Sequence, residues 1–143
     1  MEAKEFLRQP KKLDLQIRNK LIEQQQWRDM AMGITASMEG ERVQSTGTKS
    51  KMADAVGRCV DMEAEIDSLV GKLAEIKKEV VQTIEKLDSA TEYDVLHRRY
   101  IQYQSLQDVA DHYRKDYGWA TTVHGRAIKN VQAILDGKIC DLV

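Results

Sequence analysis

The chain has 143 residues, of which 42% are hydrophobic and 31% charged, and its formal net charge is −1. This length fits one or two small domains, and the hydrophobic share is enough for a core. One proline and eight glycines are few helix breakers, which favours an all-α chain, and no apolar run approaches the roughly 18 residues of a membrane span.

The cysteines and the N-terminus narrow the class further. Cys59 and Cys140 are far apart and belong to no Cys/His cluster, which argues against a zinc site or a disulfide framework. The first residues lack the apolar segment of a signal peptide. The expectation is a cytoplasmic protein with no membrane partner.

A helix is predicted from about Ala3 to Met32, because apolar residues recur there at roughly helical spacing. Pro10 lacks an amide hydrogen, so the helix either starts near Pro10 or is kinked there. The next segment, residues 33–50, is rich in Gly, Ser and Thr without periodicity and predicts a mobile loop.

A second long helix is predicted over residues 51–89 from its heptad pattern. One row of the pattern holds Cys59, Ile66, Leu73, Val80 and Leu87, and the other holds Met62, Leu69 and Ile76. Its partner is either the first helix, folded back, or another copy of the chain. The first helix is expected to be shorter and to leave part of this stripe uncovered, which favours a homodimer through the coiled coil.

The last third predicts three short helices, at about 91–102, 105–113 and 117–135. Ser105 and Asp108 have the spacing of a capping box, and Asp116 is a suitable N-cap. The tail is expected to fray beyond Gly137. The predicted fold is all-α, with a helical hairpin or coiled coil over residues 1–89 and a small helix-turn-helix module over residues 91–136.

The pattern of Leu96–Leu135 is typical of a helix-turn-helix, in which the second helix enters the major groove of DNA. An inward stripe is supplied by Ala120, Val123, Ala127, Ile128 and Val131, and Ala110 is small where the helices cross. The alternative from the residues alone is an ordinary three-helix bundle. Residues 97–130 include six basic and three acidic side chains, and this small positive excess suits weak or assisted DNA contact.

No residues form a catalytic constellation. The carboxylates of Glu63, Glu65 and Asp67 are expected to lie on a solvated helix face, and the three histidines lack ligand spacing. No phosphate-binding glycine loop follows a strand. We therefore expect no enzyme activity, no metal and no cofactor.

The motifs of the last third resemble the fourth conserved region of bacterial sigma factors. The matching segments are Leu96–Tyr100 (LHRRY), Ser105–Ala110 (SLQDVA) and His124–Ile128 (HGRAI), aligned without a gap. The chain is also similar to small sigma-like proteins of phages and prophages of Gram-positive bacteria, some of which regulate late transcription. Those proteins share the WxxxLHGRAL-type ending, here Trp119–Ile128, and an opening like Ala3–Leu7 (AKEFL).

Several residues depart from the sigma pattern. Arg114 stands where the turn usually has glycine, and Lys115 replaces an apolar residue. Tyr117, Gly118 and Thr121 replace the usual Arg and Glu, so the ordinary promoter −35 preference does not carry over. A shifted register, with Gly118 as the turn glycine, is the second alternative. The regions by which full sigma factors melt promoters are not found, so a complete sigma factor is not expected.

The resemblance implies a phage-type transcription regulator that binds double-stranded DNA through the helix-turn-helix, with the coiled coil used for dimerisation or for docking on RNA polymerase. The alternative is a module that binds RNA polymerase or a sigma factor without touching DNA. In this interpretation Thr121, Thr122 and Tyr117 point outward, and the basic residues lie near phosphate. The expected DNA-binding residues are Arg98, Arg99, Arg114, Lys115, Tyr117, Thr121, Thr122, Arg126 and Lys129.

Overall fold

The computed structural model describes residues 1–40 and 46–137, and within them the side chains of 1–33 and 50–137. Over these residues every regular element is a helix, which confirms the predicted all-α class. The elements are α1 (Ala3–Gly40), α2 (Thr46–Ile84), α3 (Ala90–Leu96), a π-helical segment (His97–Ile101), α4 (Leu106–Tyr113) and α5 (Tyr117–Leu135). Residues 41–45 of the predicted loop, and the tail from residue 138 with Cys140, lie outside the described residues.

Helix α1 extends further than the sequence predicted, to Gly40 instead of Met32, and α2 is shifted, running from Thr46 to Ile84 instead of over 51–89. Because α1 continues to Gly40 and α2 begins at Thr46, the prediction of a loop over 33–50 is wrong for the described residues of that range. Residues 34–40 include Ala, Met and Glu, which are good helix formers, and they outweigh the neighbouring Ser and Thr. The first helix is shorter than the second by only one residue, since α1 has 38 residues and α2 has 39.

Pro10 lies inside α1 and its side chain is fully buried, so the helix does not start there. Proline cannot donate to the carbonyl four residues back, and its ring must be accommodated by packing instead. It belongs to a row of α1 residues seven apart, Ala3, Pro10, Ile17 and Gln24, which are all buried. This heptad row is the face that α1 presents to the rest of the protein.

The chain forms two compact units, and their boundaries differ from the predicted division at residues 89–91. The second unit, Asp14–Lys72, contains parts of both long helices. In it Gln24 Nε2 donates to the Cys59 carbonyl at 3.1 Å, and Lys20 Nζ lies 3.2 Å from Glu65 Oε2. Because the earlier residue of α1 pairs with the later residue of α2, these parts run antiparallel.

The first unit combines Met1–Leu13 with Leu73–Val143. Its main core joins residues from five elements: Ala3, Phe6, Leu7, Val80, Ile84, Leu96, Tyr100, Ala127 and Val131. The backbone amide of Ala3 donates to Gln132 Oε1 at 2.7 Å, which attaches the start of α1 to α5. The helix-turn-helix is therefore packed on the first turns of α1 and the end of α2.

The predicted helix over 91–102 is two elements. Ser89 caps α3 by accepting from the Glu92 amide, and after Leu96 the chain makes a π-helical turn that ends with the Gln102 amide donating to the His97 carbonyl. π-Helical turns are rare and change the direction of the side chains that follow. Here the turn brings Tyr100 into the core. No helix in the described ranges is both long enough and apolar enough to cross a membrane.

Candidate nucleic-acid interface

The first helix of the helix-turn-helix is fixed by strong local signals at both ends. Ser105 and Asp108 form the predicted capping box, each side chain accepting from the other residue's backbone amide at 3.1 Å. At the other end Arg114 takes a left-handed conformation (φ 56°, ψ 42°). The Lys115 amide donates to the Ala110 carbonyl and the Arg114 amide to the Asp111 carbonyl, which is the Schellman pattern.

Helix α5 begins as predicted, and this settles the register of the turn. Asp116 is the N-cap, and its Oδ1 accepts from the Trp119 amide at 2.8 Å. Gly118 lies in the first turn of α5, whereas Arg114 is the residue with positive φ. The alternative register, with Gly118 as the turn residue, is therefore wrong.

A small core holds the two helices together. Val95, Val109 and Val123 are buried against one another, and Tyr113 and Trp119 pack on them. The rings of Tyr113 and Trp119 have centroids 5.1 Å apart. These contacts lie on one side of α5, so the orientation of its opposite face is fixed by packing.

The residues predicted to face DNA lie on that opposite face of α5. Tyr117 is 52% exposed, Thr122, Arg126 and Lys129 are exposed, and Thr121 is half-buried. At 3.6 residues per turn they occupy about half of the helix circumference. The predicted inward residues Ala120, Val123, Ala127 and Val131 are buried.

The hydroxyls of Thr121 and Thr122 both donate to the Gly118 carbonyl, at 2.9 Å. Each hydroxyl keeps acceptor capacity, and each threonine keeps a methyl group. A threonine held this way is suited to accept from a base amino group or to pack on a thymine methyl. The two hydroxyls are also fixed in direction, so less rotamer entropy is lost on binding.

Arg98 was predicted to contact phosphate, but its side chain has a partner inside the module. Its Nε lies 2.8 Å from Asp94 Oδ2, and the Tyr113 hydroxyl donates to the same oxygen. Burial raises the pKa of Asp94, but the hydrogen bonds from Tyr113 and Arg98 outweigh it and hold this pKa below its ordinary value. Burial and the bond to Asp94 raise the pKa of Tyr113 to about 12. The spacing of Asp94 and Arg98, four residues in a helix, was the sequence signal for this pair.

Arg99 is anchored in a similar way. Its Nη1 donates to the Gln104 carbonyl at 3.1 Å, and its guanidinium lies 5.8 Å from the centre of the Tyr100 ring. The Tyr100 hydroxyl and His124 Nε2 form a hydrogen bond of 2.7 Å across to α5. Burial, with the nearby cations, lowers the pKa of His124 to about 4, so the imidazole is neutral at physiological pH.

The remaining basic residues of the predicted site are exposed. Arg114 and Lys115 lie in the turn, and Arg126 and Lys129 lie on the outward face of α5. Residues 114–129 contain these four cations and one carboxylate, that of Asp116. The surface is therefore positive where a helix-turn-helix meets DNA, although more weakly than in domains that bind DNA alone.

Among the described residues no group of three or more His, Cys, Asp or Glu side chains is arranged to hold a metal ion. Comparison of the chain with protein-family models, with curated proteins and with solved structures finds no match.

Proposed function

We propose that this chain is a non-enzymatic, cytoplasmic DNA-binding regulator of transcription of the sigma-like phage type, and that α5 is its recognition helix. The observation that carries the proposal is the arrangement of α4 and α5. Helix α4 is capped, a tight left-handed turn follows at Arg114, and α5 has 19 residues. This arrangement leaves one face of α5 polar, basic and uncovered within the described chain. This is the geometry that a major groove accepts.

The residues on this face divide into two kinds by their chemistry. Thr121, Thr122 and Tyr117 supply hydroxyls and apolar atoms that suit base edges. Arg114 and Lys115 at the turn, with the cations further along α5, suit phosphates, which position a protein without reading sequence. Arg98 is already paired with Asp94, so its role in the proposal is to hold the π-helical segment rather than to contact phosphate.

The test measures binding of the purified chain to duplex DNA, with selected high-affinity sequences and random duplex compared at several salt concentrations. Thr121→Ala and Thr122→Ala should change sequence preference by roughly 1–3 kcal/mol at the affected base pair. Arg126→Ala should weaken all sequences alike and flatten the salt dependence by about one unit per lost phosphate contact. All three side chains lie outside the core, so the variants should stay folded.

A parent chain that binds no duplex DNA would overturn this proposal. The same module would then be assigned to the alternative, a protein-docking surface for RNA polymerase or a sigma factor. Co-purification of polymerase with the parent but not with an α5 surface variant, in the absence of DNA binding, would be the corresponding positive result.

A second part of the proposal is self-association through the second compact unit. Exposed apolar side chains lie on both of its helices, including Leu15, Ile22, Val56 and Val60, with 63% of Val60 accessible. A two-fold contact would remove such surface from water. Sedimentation equilibrium should show a dimer at micromolar concentration. Val60→Asp should shift the chain to monomer, and Ser68→Asp, an exposed control on the same helix, should not; a monomeric parent would refute this part.

A further inference from the structure

The start of α1 lies beside the recognition helix and carries basic residues that the predicted interface does not include. Ala3 and Leu7 are buried in the same core as Tyr100 and Ala127, and the Ala3 amide is bonded to Gln132 of α5. Lys4 and Arg8 are exposed and four residues apart, so they share one face of α1. All of these residues belong to the first compact unit.

Lys4 and Arg8 are close enough to α5 and the π-helical segment to act on their side chains. The cations whose charge lowers the pKa of His124, after the larger effect of burial, are Arg99, Lys4 and Arg8. Arg99 and Arg8 likewise act to lower the pKa of the Tyr100 hydroxyl, against the larger effect of burial that raises it. The Arg99 guanidinium lies 5.8 Å from the centre of the Tyr100 ring, and Lys4 and Arg8 add positive charge near the Tyr100–His124 pair from a segment far away in sequence.

This cluster lies at a defined edge of the recognition face. At 3.6 residues per turn, Trp119 and Val123, which pack on α4, fall at one edge of the outward face of α5. His124 falls at the other edge, next to Thr121. The two edges are thus bordered by different elements: α4 on one side, and the π-helical segment with the start of α1 on the other.

A recognition helix in the major groove has a phosphate backbone on each side of it. The turn after α4 supplies Arg114 and Lys115 at one side. We propose that Lys4 and Arg8, together with Arg99, bind the phosphates on the opposite side of the groove, so that the N-terminal helix is part of the DNA interface. This inference rests on the proposed function, and duplex nucleic acid is the ligand it requires.

Acidic residues on the same segment offset this charge in part. Glu5 lies about 100° round α1 from Lys4, but it is three residues before Arg8 and so neighbours Arg8 on the helix surface. Lys4, Arg8 and Lys12 border one surface cavity with Glu2 and Glu5, so three cations meet two carboxylates there. The cations are held in place at their backbone, because two of the three residues between them, Phe6 and Leu7, are buried. The cluster is thus carried on a packed helix rather than on a loose arm.

The experiment compares three double variants in binding to random-sequence duplex at several salt concentrations. Lys4→Ala/Arg8→Ala should lower affinity and flatten the salt slope by about 1.8 units, at about 0.9 per phosphate contact. Arg28→Ala/Lys51→Ala removes the same charges from exposed positions in the second unit and should leave the slope unchanged. Lys4→Arg/Arg8→Lys keeps both charges and should bind like the parent.

The outcomes separate this inference from the proposed function. A parent that binds no duplex overturns both. A parent that binds, with the Lys4/Arg8 alanine variant indistinguishable from it or from the control variant, overturns only the N-terminal contact. A third outcome is that the alanine variant loses affinity without a change in salt slope, or loses affinity with a shifted thermal unfolding midpoint. Either result would mean that the two residues act through the fold and not on phosphate, and would also overturn the N-terminal contact.

Discussion

Arg114→Gly should make the protein more stable and, under the proposed function, should weaken its binding to DNA. Arg114 has φ 56° and ψ 42°, in the left-handed region, and ends α4 in a Schellman motif. A side chain with a Cβ in this conformation costs roughly 1–2 kcal/mol. Glycine avoids that cost but loses more backbone entropy on folding, roughly 0.5–1 kcal/mol. The difference predicts a net gain of about 0.5–1 kcal/mol.

The matched control is Arg114→Ala, which loses the same charge but keeps the Cβ. Urea unfolding followed by far-UV circular dichroism should show the glycine variant more stable than the alanine variant by about 1 kcal/mol. In thermal unfolding, the same difference corresponds to about 2–4 °C in the midpoint of a chain of this size. Under the proposed function both variants lose the same phosphate contact, so their DNA salt slopes should fall equally. A glycine variant no more stable than the alanine variant would refute the strained-turn argument.

Three further predictions concern the core and surface of the same unit. Because the pKa of His124 falls from 6.5 to about 4 on folding, the unfolded chain binds a proton at higher pH than the folded chain does. The free energy of unfolding should therefore drop as pH falls from about 6.5 toward 4, by about 2 kcal/mol after allowing for partial exposure. A His124→Gln variant should lose this pH dependence when unfolding is measured across the same pH range. Asn130 Nδ2 donates to both oxygens of the buried Glu92 carboxylate, at 3.2 and 3.0 Å, so Asn130→Ala should cost about 1–3 kcal/mol, and an unchanged unfolding midpoint would contradict this role. Gly125 is exposed within α5 and a Cβ there meets no atom within 4 Å, so Gly125→Ala should add about 1 kcal/mol of helix stability by thermal melting, and a variant no more stable than the parent would contradict this.

The elements predicted best from the sequence are those with signals inside a few residues. The bounds of α5, the Asp116 cap and the Ser105 capping box are confirmed because each depends on side chains next to the backbone that they cap. The π-helical turn was not predicted, because a shift of one residue in hydrogen bonding leaves no mark in hydrophobic spacing. The turn at Arg114 was located only because Arg114 aligns with the usual turn glycine of the sigma pattern. Arginine does not itself favour the left-handed conformation, so the residue type gave no signal.

The pairing of the long helices was harder to read. Gln24 occupies a heptad position of α1 and is only 4% exposed, but a polar residue there hides the repeat. Leu21 and Met30 fit the helical apolar spacing of the first helix, but both are about half exposed. Arg98 was predicted to contact phosphate, and its side chain is paired with Asp94, an acid at helical spacing that competes with any external phosphate.

The composition of the first compact unit has a consequence for biosynthesis. Its core closes only when Leu7 meets Ala127 and Val131, which the ribosome adds some 120 residues later. At about 5–20 residues per second the apolar face of the first helical turns waits roughly 6–24 s for its partners. During that interval the nascent segment must be shielded by other parts of the chain or by a chaperone. The packing of α5 therefore depends on a segment made much earlier, so its exposed face takes its final orientation only after both segments have been synthesised.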